Sequence, residues 1–363
     1  MSLQKKKVLE ILSKLKVPST EDSLINDKIL ESVVIEKEKI SISLKVQNPT
    51  LQIRKKIEHI VTENVQEFFP NYEILVNVLS DSKKEKLKSI KNIISVASGK
   101  GGVGKSTISS NLAVSLAQAG YAVGLLDGDI YGPSIPLMFD AENSKPKLVT
   151  VDGKSLMEPI LSYGVKLLSI GFFSDPNDPI VWRGPMASKA LNQMIHQSNW
   201  GDLDYLIIDL PPGTGDIHLS LVQSLPLTGA IIVTTPQPVS IIDAKKAISM
   251  FRLKTINVPV IGIIENMSWF QPKDSQKKYY IFGRNGGEVL SDNLNIPFLG
   301  KIPLKESIRE SGDVGRPAFL QTSDEIRYFE EITTNVVNKT DERNQSLAPT
   351  KKVNITHAKG CSS

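Results

Sequence analysis

The chain has 363 residues, 40% hydrophobic and 23% charged, with a formal net charge of +4, proportions typical of a soluble globular protein. That length accommodates one large domain and a small one. No apolar run approaches the ~18 residues of a membrane span, and a single cysteine, Cys361, excludes an internal disulfide and fits a reducing compartment.

The N-terminus, Met1-Ser2-Leu3-Gln4-Lys5-Lys6-Lys7-Val8, has neither the apolar core nor the small-residue cleavage site of a secretion signal, so a cytoplasmic protein is expected. Residues 5–15 carry Val8, Ile11, Leu12 and Leu15 on one helical face. Two β-type runs, Ile29–Ile35 and Ile40–Val46, flank a charged turn; a helical pattern over 50–68 and an alternating run over Tyr72–Leu79 follow. This order predicts a small α+β domain over residues 1–80. Residues 81–91 hold five lysines against Asp81 and Glu85 and read as a basic linker.

From residue 92 to 338 strands and helices alternate. Strands are predicted at 93–97, 122–127, 165–170, 204–209, 229–235, 259–264 and 296–301. Helices are predicted near 105–119, 186–197, 216–225, 240–256, 285–294 and 323–338. This pattern predicts an α/β domain with a doubly wound, mainly parallel sheet, binding its ligand at the carboxyl ends of the strands. Residues 339–363 are polar and aperiodic and read as a disordered tail. The basic charge gathers in the linker and this tail, which argues against nucleic acid as a partner.

Gly99-Lys100-Gly101-Gly102-Val103-Gly104-Lys105-Ser106-Thr107 fits the P-loop pattern G-x-x-x-x-G-K-[ST] between a predicted strand and a predicted helix. Glycines let backbone N–H groups turn around phosphate oxygens, and the helix N-terminus adds its partial positive charge. Lys105 is placed to reach the β/γ-phosphates and the Ser106 hydroxyl suits Mg²⁺. Asp209, ending the run Tyr205–Ile208, has the position of a Walker B carboxylate for Mg²⁺. Asn266 follows strand 259–264 and offers an acceptor and a donor to adenine.

The early lysine in Lys100-Gly101-Gly102-Val103-Gly104-Lys105-Ser106 resembles the deviant Walker A motif of the MinD/ParA/nitrogenase-reductase ATPases. That resemblance implies a homodimer in which Lys100 reaches the partner's nucleotide, as an arginine finger does. Asp127-Gly128-Asp129 is similar to the switch I segment of the same class, implying that Asp129 positions the attacking water while Asp127 supports Mg²⁺ or the loop. Leu210-Pro211-Pro212-Gly213-Thr214-Gly215-Asp216 resembles switch II, with the Gly213 N–H as γ-phosphate sensor.

A narrower resemblance follows from Asp127–Ser134, Trp182-Arg183-Gly184-Pro185-Met186, Asp209–Asp216, Glu265–Ser268, Ile281-Phe282-Gly283 and Ile308–Asp313. Together they resemble the Mrp/ApbC family over nearly all of residues 93–320, and the N-terminal module is similar to that family's SufT-type domain. The resemblance implies cytoplasmic homodimeric ATPases that carry iron–sulfur clusters to apoproteins, alongside Fe–S assembly proteins. In that family a C-x-x-C pair from each subunit holds the cluster. This chain departs from the pattern there. Counting through Phe270–Tyr280, Pro272 and Ser275 stand at the cysteine positions, and neither offers a thiolate. Cys361, with His357 nearby, is the remaining thiolate candidate, although it lies near the end of the tail. The role of Trp182 and Arg183 stays unassigned.

Three functions are thereby open. The first is an Mg²⁺-dependent ATPase in Fe–S cluster assembly or transfer. The second is a nucleotide-switched scaffold without a cluster of its own. The third is a partitioning or positioning ATPase, for which membrane binding would need an amphipathic C-terminal helix that 339–363 does not read as.

Overall fold

The computed structural model describes residues 3–16, 24, 29–36, 39–46, 51–80, 90–130, 132–151, 153–173, 184–215, 218–219, 222, 225–321 and 325–348. The chain forms two compact units, Met1–Lys86 and Leu87–Ser363.

In the first unit, helix α1 (Leu3–Ser13) precedes strands β1 (Leu30–Glu36) and β2 (Lys39–Val46), helix α2 (Leu51–Phe68) and strand β3 (Glu73–Ser80). β1 and β2 pair antiparallel, and β3 lies parallel to β2. α2 is therefore a crossover helix, which a parallel pair requires. Val8, Ile11 and Leu12 of α1 and Ile57, Val61 and Val65 of α2 close on Ile40, Ile42 and Leu44, all buried. These helical residues recur at three- and four-residue spacing and the strand residues at two, so each element turns one apolar face inward.

The second unit is built on eight strands: β4 (Ile90–Ala97), β5 (Val123–Asp127), β8 (Ile160–Ser162), β9 (Val165–Ser169), β10 (Leu203–Asp209), β11 (Gly229–Thr234), β12 (Val260–Glu265) and β13 (Phe298–Lys301). Their order is β13-β12-β11-β4-β10-β5-β9-β8, parallel throughout except for the short β8 at the edge. A separate hairpin, β6 (Lys147–Val151) with β7 (Lys154–Glu158), lies between β5 and β8 in sequence. Successive residues of the central strands feed opposite layers. Ile94, Val96, Ile207 and Val233 pack with Ile108 and Leu112 of α3 (Lys105–Gln118) and Phe329, Ile332 and Val336 of α9 (Ile326–Ser346). Ile93, Leu206, Ile208 and Ile232 pack on the other face with Leu191 and Ile195 of α5 (Gly184–His196) and Ala244 and Phe251 of α6 (Pro238–Phe251). Burial on both faces explains why these strands read as nearly continuous apolar runs. The remaining described helices are α4 (Ile135–Met138), α7 (Gly286–Leu294) and α8 (Glu306–Asp313). None of the described helices is long and apolar enough to cross a membrane.

Two boundaries differ from those expected from sequence. β4 begins at Ile90, so the last two linker residues belong to the sheet: Ile90 is buried, and Lys91, its side chain still exposed, pairs with Asp204 at 2.7 Å. α9 continues to Ser346, eight residues into the segment read as tail. The reason is chemical: Val336, Thr340 and Arg343 keep the helical spacing and are buried, but Thr and Arg conceal the period from a reading based on hydrophobicity. The expected helix over 216–225 lies mostly outside the described residues, as do Trp182, Arg183, His357 and Cys361.

Candidate functional site

β10 inserts between β4 and β5, pairing Asp209 with Val96 on one side and Asp127 on the other. Three sequence-distant segments thereby end side by side at the carboxyl edge of the sheet: the loop after β4, Asp127 and Asp209. The β4 loop leads into α3 through Gly104, whose φ of 82° lies in the left-handed region. A side chain there would also collide with the Asn266 amide, which donates to the Val103 carbonyl at 2.9 Å. A Cβ at Gly99 would strike the backbone of Asp243 in α6. Glycine is needed at both places, once for conformation and once for close approach.

Ser98, Gly101–Thr107, Asp129, Ser134, Met138 and Pro212 line a cavity of about 210 Å³. The Lys105 ammonium, 6% exposed, lies 2.7 Å from Asp209 Oδ2 and 3.7 Å from Asp129 Oδ2. The Ser106 hydroxyl donates to Asp209 Oδ2 at 2.6 Å, and the Ser109 hydroxyl to Oδ1 at 2.6 Å. Asp127 accepts from the Ser169 hydroxyl at 2.9 Å and from the Asp129 N–H at 3.1 Å. Burial, reinforced by the Asp209 carboxylate, pushes the Asp127 carboxyl up to about 7. Two buried carboxylates facing one ammonium leave a local excess of negative charge. With Ser106 Oγ adjacent, these oxygens suit Mg²⁺, which takes hard oxygen donors and retains water. Ser106 and Asp209 would hold the ion, with Asp127 behind them. When bound, Mg²⁺ supplies charge neutralisation at the phosphates.

Lys100 is directed elsewhere. Its Nζ donates to Gln237 Oε1 at 3.2 Å, at the N-cap of α6, and it does not line the cavity. The Gly213 N–H donates to the Ser98 carbonyl at 3.0 Å, which holds the loop after β10 against the loop after β4. Asp129 and Gly213 thus converge on the same loop as Lys105, while Asn266 abuts Gly104 from β12. Gly101, Gly102, Val103, Ser106 and Thr107 all border the cavity.

Sequence reasoning missed four residues here. Ser109 is one turn after Lys105, a signal available from helical spacing. Ser169 is brought to Asp127 only by strand pairing. Gln237 has no motif. His218 is 2% exposed, hydrogen-bonded to the Pro211 backbone and held by burial down to about 4; its Nε2 has no partner among the described residues.

At the positions expected for cluster ligands, the Ser275 N–H donates to the Pro272 carbonyl at 3.3 Å, and Ser275 Oγ accepts the Lys277 N–H at 3.1 Å. The serine closes a turn. Among the described residues no group of three or more His, Cys, Asp or Glu is placed to hold a metal ion.

The ParA family, described as NUBPL iron-transfer P-loop NTPase, matches residues 89–339. The iron-sulfur cluster carrier protein of Synechocystis sp. (strain ATCC 27184 / PCC 6803 / Kazusa) is 42% identical over 318 residues, covering 85% of this chain and 90% of that protein. The iron-sulfur cluster carrier protein of Escherichia coli (strain K12) is 51% identical over 234 residues, or 64% of this chain, and the match spans 62% of the relative's length. A solved nucleotide-binding protein of Archaeoglobus fulgidus in complex with ADP aligns with a TM-score of 0.58 at 37% identity, over 68% of this chain and 95% of that one.

Proposed function

The chain belongs to the NUBPL iron-transfer P-loop NTPase family, and on that premise we propose that it hydrolyses Mg²⁺–ATP to drive transfer of iron–sulfur clusters to apoproteins. The observation that carries this reading is the cavity at the sheet's carboxyl edge lined by Lys105, Ser106 and Asp129, with the buried Asp209 behind it paired to Lys105 and accepting from Ser106. Lys105 neutralises phosphate charge. Asp129, 14% exposed and 3.7 Å from Lys105, orients the attacking water. The Gly213 N–H exchanges its Ser98 carbonyl for the γ-phosphate, so the loop after β10 reports which nucleotide is bound. Asn266 faces the adenine.

The protein works as a homodimer, with Lys100 acting on the partner's nucleotide. Its direction toward Gln237 rather than its own cavity supports that role. The cluster is cargo. Pro272 has no ligand atom and Ser275 Oγ already accepts a backbone N–H, so the 270–280 loop does not ligate it. The cluster's thiolates belong to the protein that gives or receives it, and nucleotide state sets the grip on that protein. This unites cluster transfer with the scaffold reading, and the same loop favours it over a carrier that holds its own cluster. The small N-terminal unit is a second contact for such proteins.

The experiment is anaerobic transfer from a cluster-loaded donor to apo-aconitase, followed by regained aconitase activity. Transfer accelerated by Mg²⁺–ATP and abolished in Lys105→Ala supports the proposal. Transfer indifferent to both removes it.

A further inference from the structure

The segment after Asn266 forms a hairpin. The N–H groups of Phe270 and Tyr279 exchange bonds with each other's carbonyls at 2.8 and 2.7 Å, and the Leu304 N–H donates to the Trp269 carbonyl at 2.7 Å. Three cations are held over three rings along it: Lys277 over Tyr279 at 5.2 Å, Lys278 over Trp269 at 4.2 Å and Arg284 over Tyr280 at 4.1 Å. Among the described residues no carboxylate lies within salt-bridge distance of these three, and Lys273 meets Glu306 only at 4.0 Å. The hairpin also walls a groove of about 960 Å³ running to the starts of α8 and α9, but Asp274, Glu306 and Glu325 balance Lys273, Lys305 and Arg327 there and none of the three ring-held cations lines it, so the cationic surface is the hairpin itself.

Cations without acidic partners usually wave in solvent. Here the rings bias their positions, which lowers part of the ordering cost of meeting an external anion. The same rings have a face already covered by a cation, so they make poor stacking platforms for nucleic-acid bases. Residues 349–363 carry Lys351, Lys352 and Lys359 and no acid, which sets that segment of the chain aside as the occupant. A cluster bound by four thiolates is itself an anion, matching the sign of this surface.

We propose that the 269–284 hairpin, through its three ring-held cations, is the docking surface for a carboxylate-rich, extended segment of a partner protein. It rests on the proposed function only in taking that partner to be a cluster donor or acceptor.

The test uses the full-length chain and a fluorescein-labelled peptide of about 12 alternating Glu and Gly residues, read by anisotropy. Wild type should bind, and about tenfold more weakly as salt rises from ~50 to ~500 mM, because the contacts are exposed and screened. Lys277→Glu/Lys278→Glu should lose at least about tenfold in affinity. Lys277→Arg/Lys278→Arg should retain it, and Lys145→Glu/Lys147→Glu, on another surface, should match wild type. ATP turnover in all three variants reports that each is folded. Equal binding by the Glu variant, or tighter binding of a single-stranded oligonucleotide than of the peptide at every salt concentration, would overturn the proposal. Peptide binding without ATP-driven cluster transfer would leave the surface standing and remove the proposed function; transfer without peptide binding would do the reverse.

Discussion

Lys105 is nearly buried between two carboxylates, so its loss removes both a phosphate ligand and their counter-charge. Lys105→Ala should abolish ATP hydrolysis, and, because an unpaired buried charge costs about 3–5 kcal/mol, should lower the melting temperature measured without nucleotide. Lys100 makes no such contact. Lys100→Ala should bind a fluorescent ATP analogue like wild type while hydrolysis falls about tenfold or more, the pattern of a group acting in trans; unchanged turnover would refute that role. His218 provides a pH prediction. Burial lowers its folded value to about 4 from the ordinary 6.5, so the unfolded chain takes up the proton first. The stability it contributes is present above pH 6.5 and is lost as pH falls through about 4. Denaturant titrations at pH 7 and 5 should show a smaller loss on acidification for His218→Gln than for wild type. The P-loop residues and Asp209 were legible in the sequence because short motifs fix them. Ser169 and His218 were not, because their partners arrive through strand pairing and packing.

The strands of the large unit were legible as elements because burial on both faces makes them apolar runs. The β6–β7 hairpin was not: its exposed residues, including Lys147, Leu148, Lys154 and Ser155, alternate too weakly to announce a strand. α9 shows the opposite failure, a helix whose buried face passes from Val336 to Thr340 and Arg343. Its last turns hold real structure. Thr340 is fully buried, the Arg343 guanidinium donates to the Ala348 carbonyl at 2.9 Å, and Asn344 donates to Asn92 on β4 at 2.8 Å. Ending the chain at Asn338 should therefore lower the melting temperature by several degrees, whereas ending it at Ala348 should not. Equal stability of the two would show that these turns are dispensable. At the sheet's carboxyl edge, Gly104→Ala should abolish nucleotide binding by calorimetry, since both the left-handed backbone and the Asn266 amide exclude a methyl group.

At the scale of the molecule, the family, the fold and the ATP engine follow from motifs placed by one strand order, and the cluster chemistry does not. A motif search assigns ligands by position, and at that position this chain has a proline and a turn-closing serine. Anaerobic reconstitution with iron and sulfide, followed by desalting and metal, sulfide and absorbance measurements on wild type and Cys361→Ser, separates a protein that moves clusters from one that holds them. Our reading predicts ATP turnover in both and no iron or sulfide retained above background in either. Stoichiometric iron and sulfide in the wild type, lost in Cys361→Ser, would contradict it and place the cluster on the chain's own thiolate.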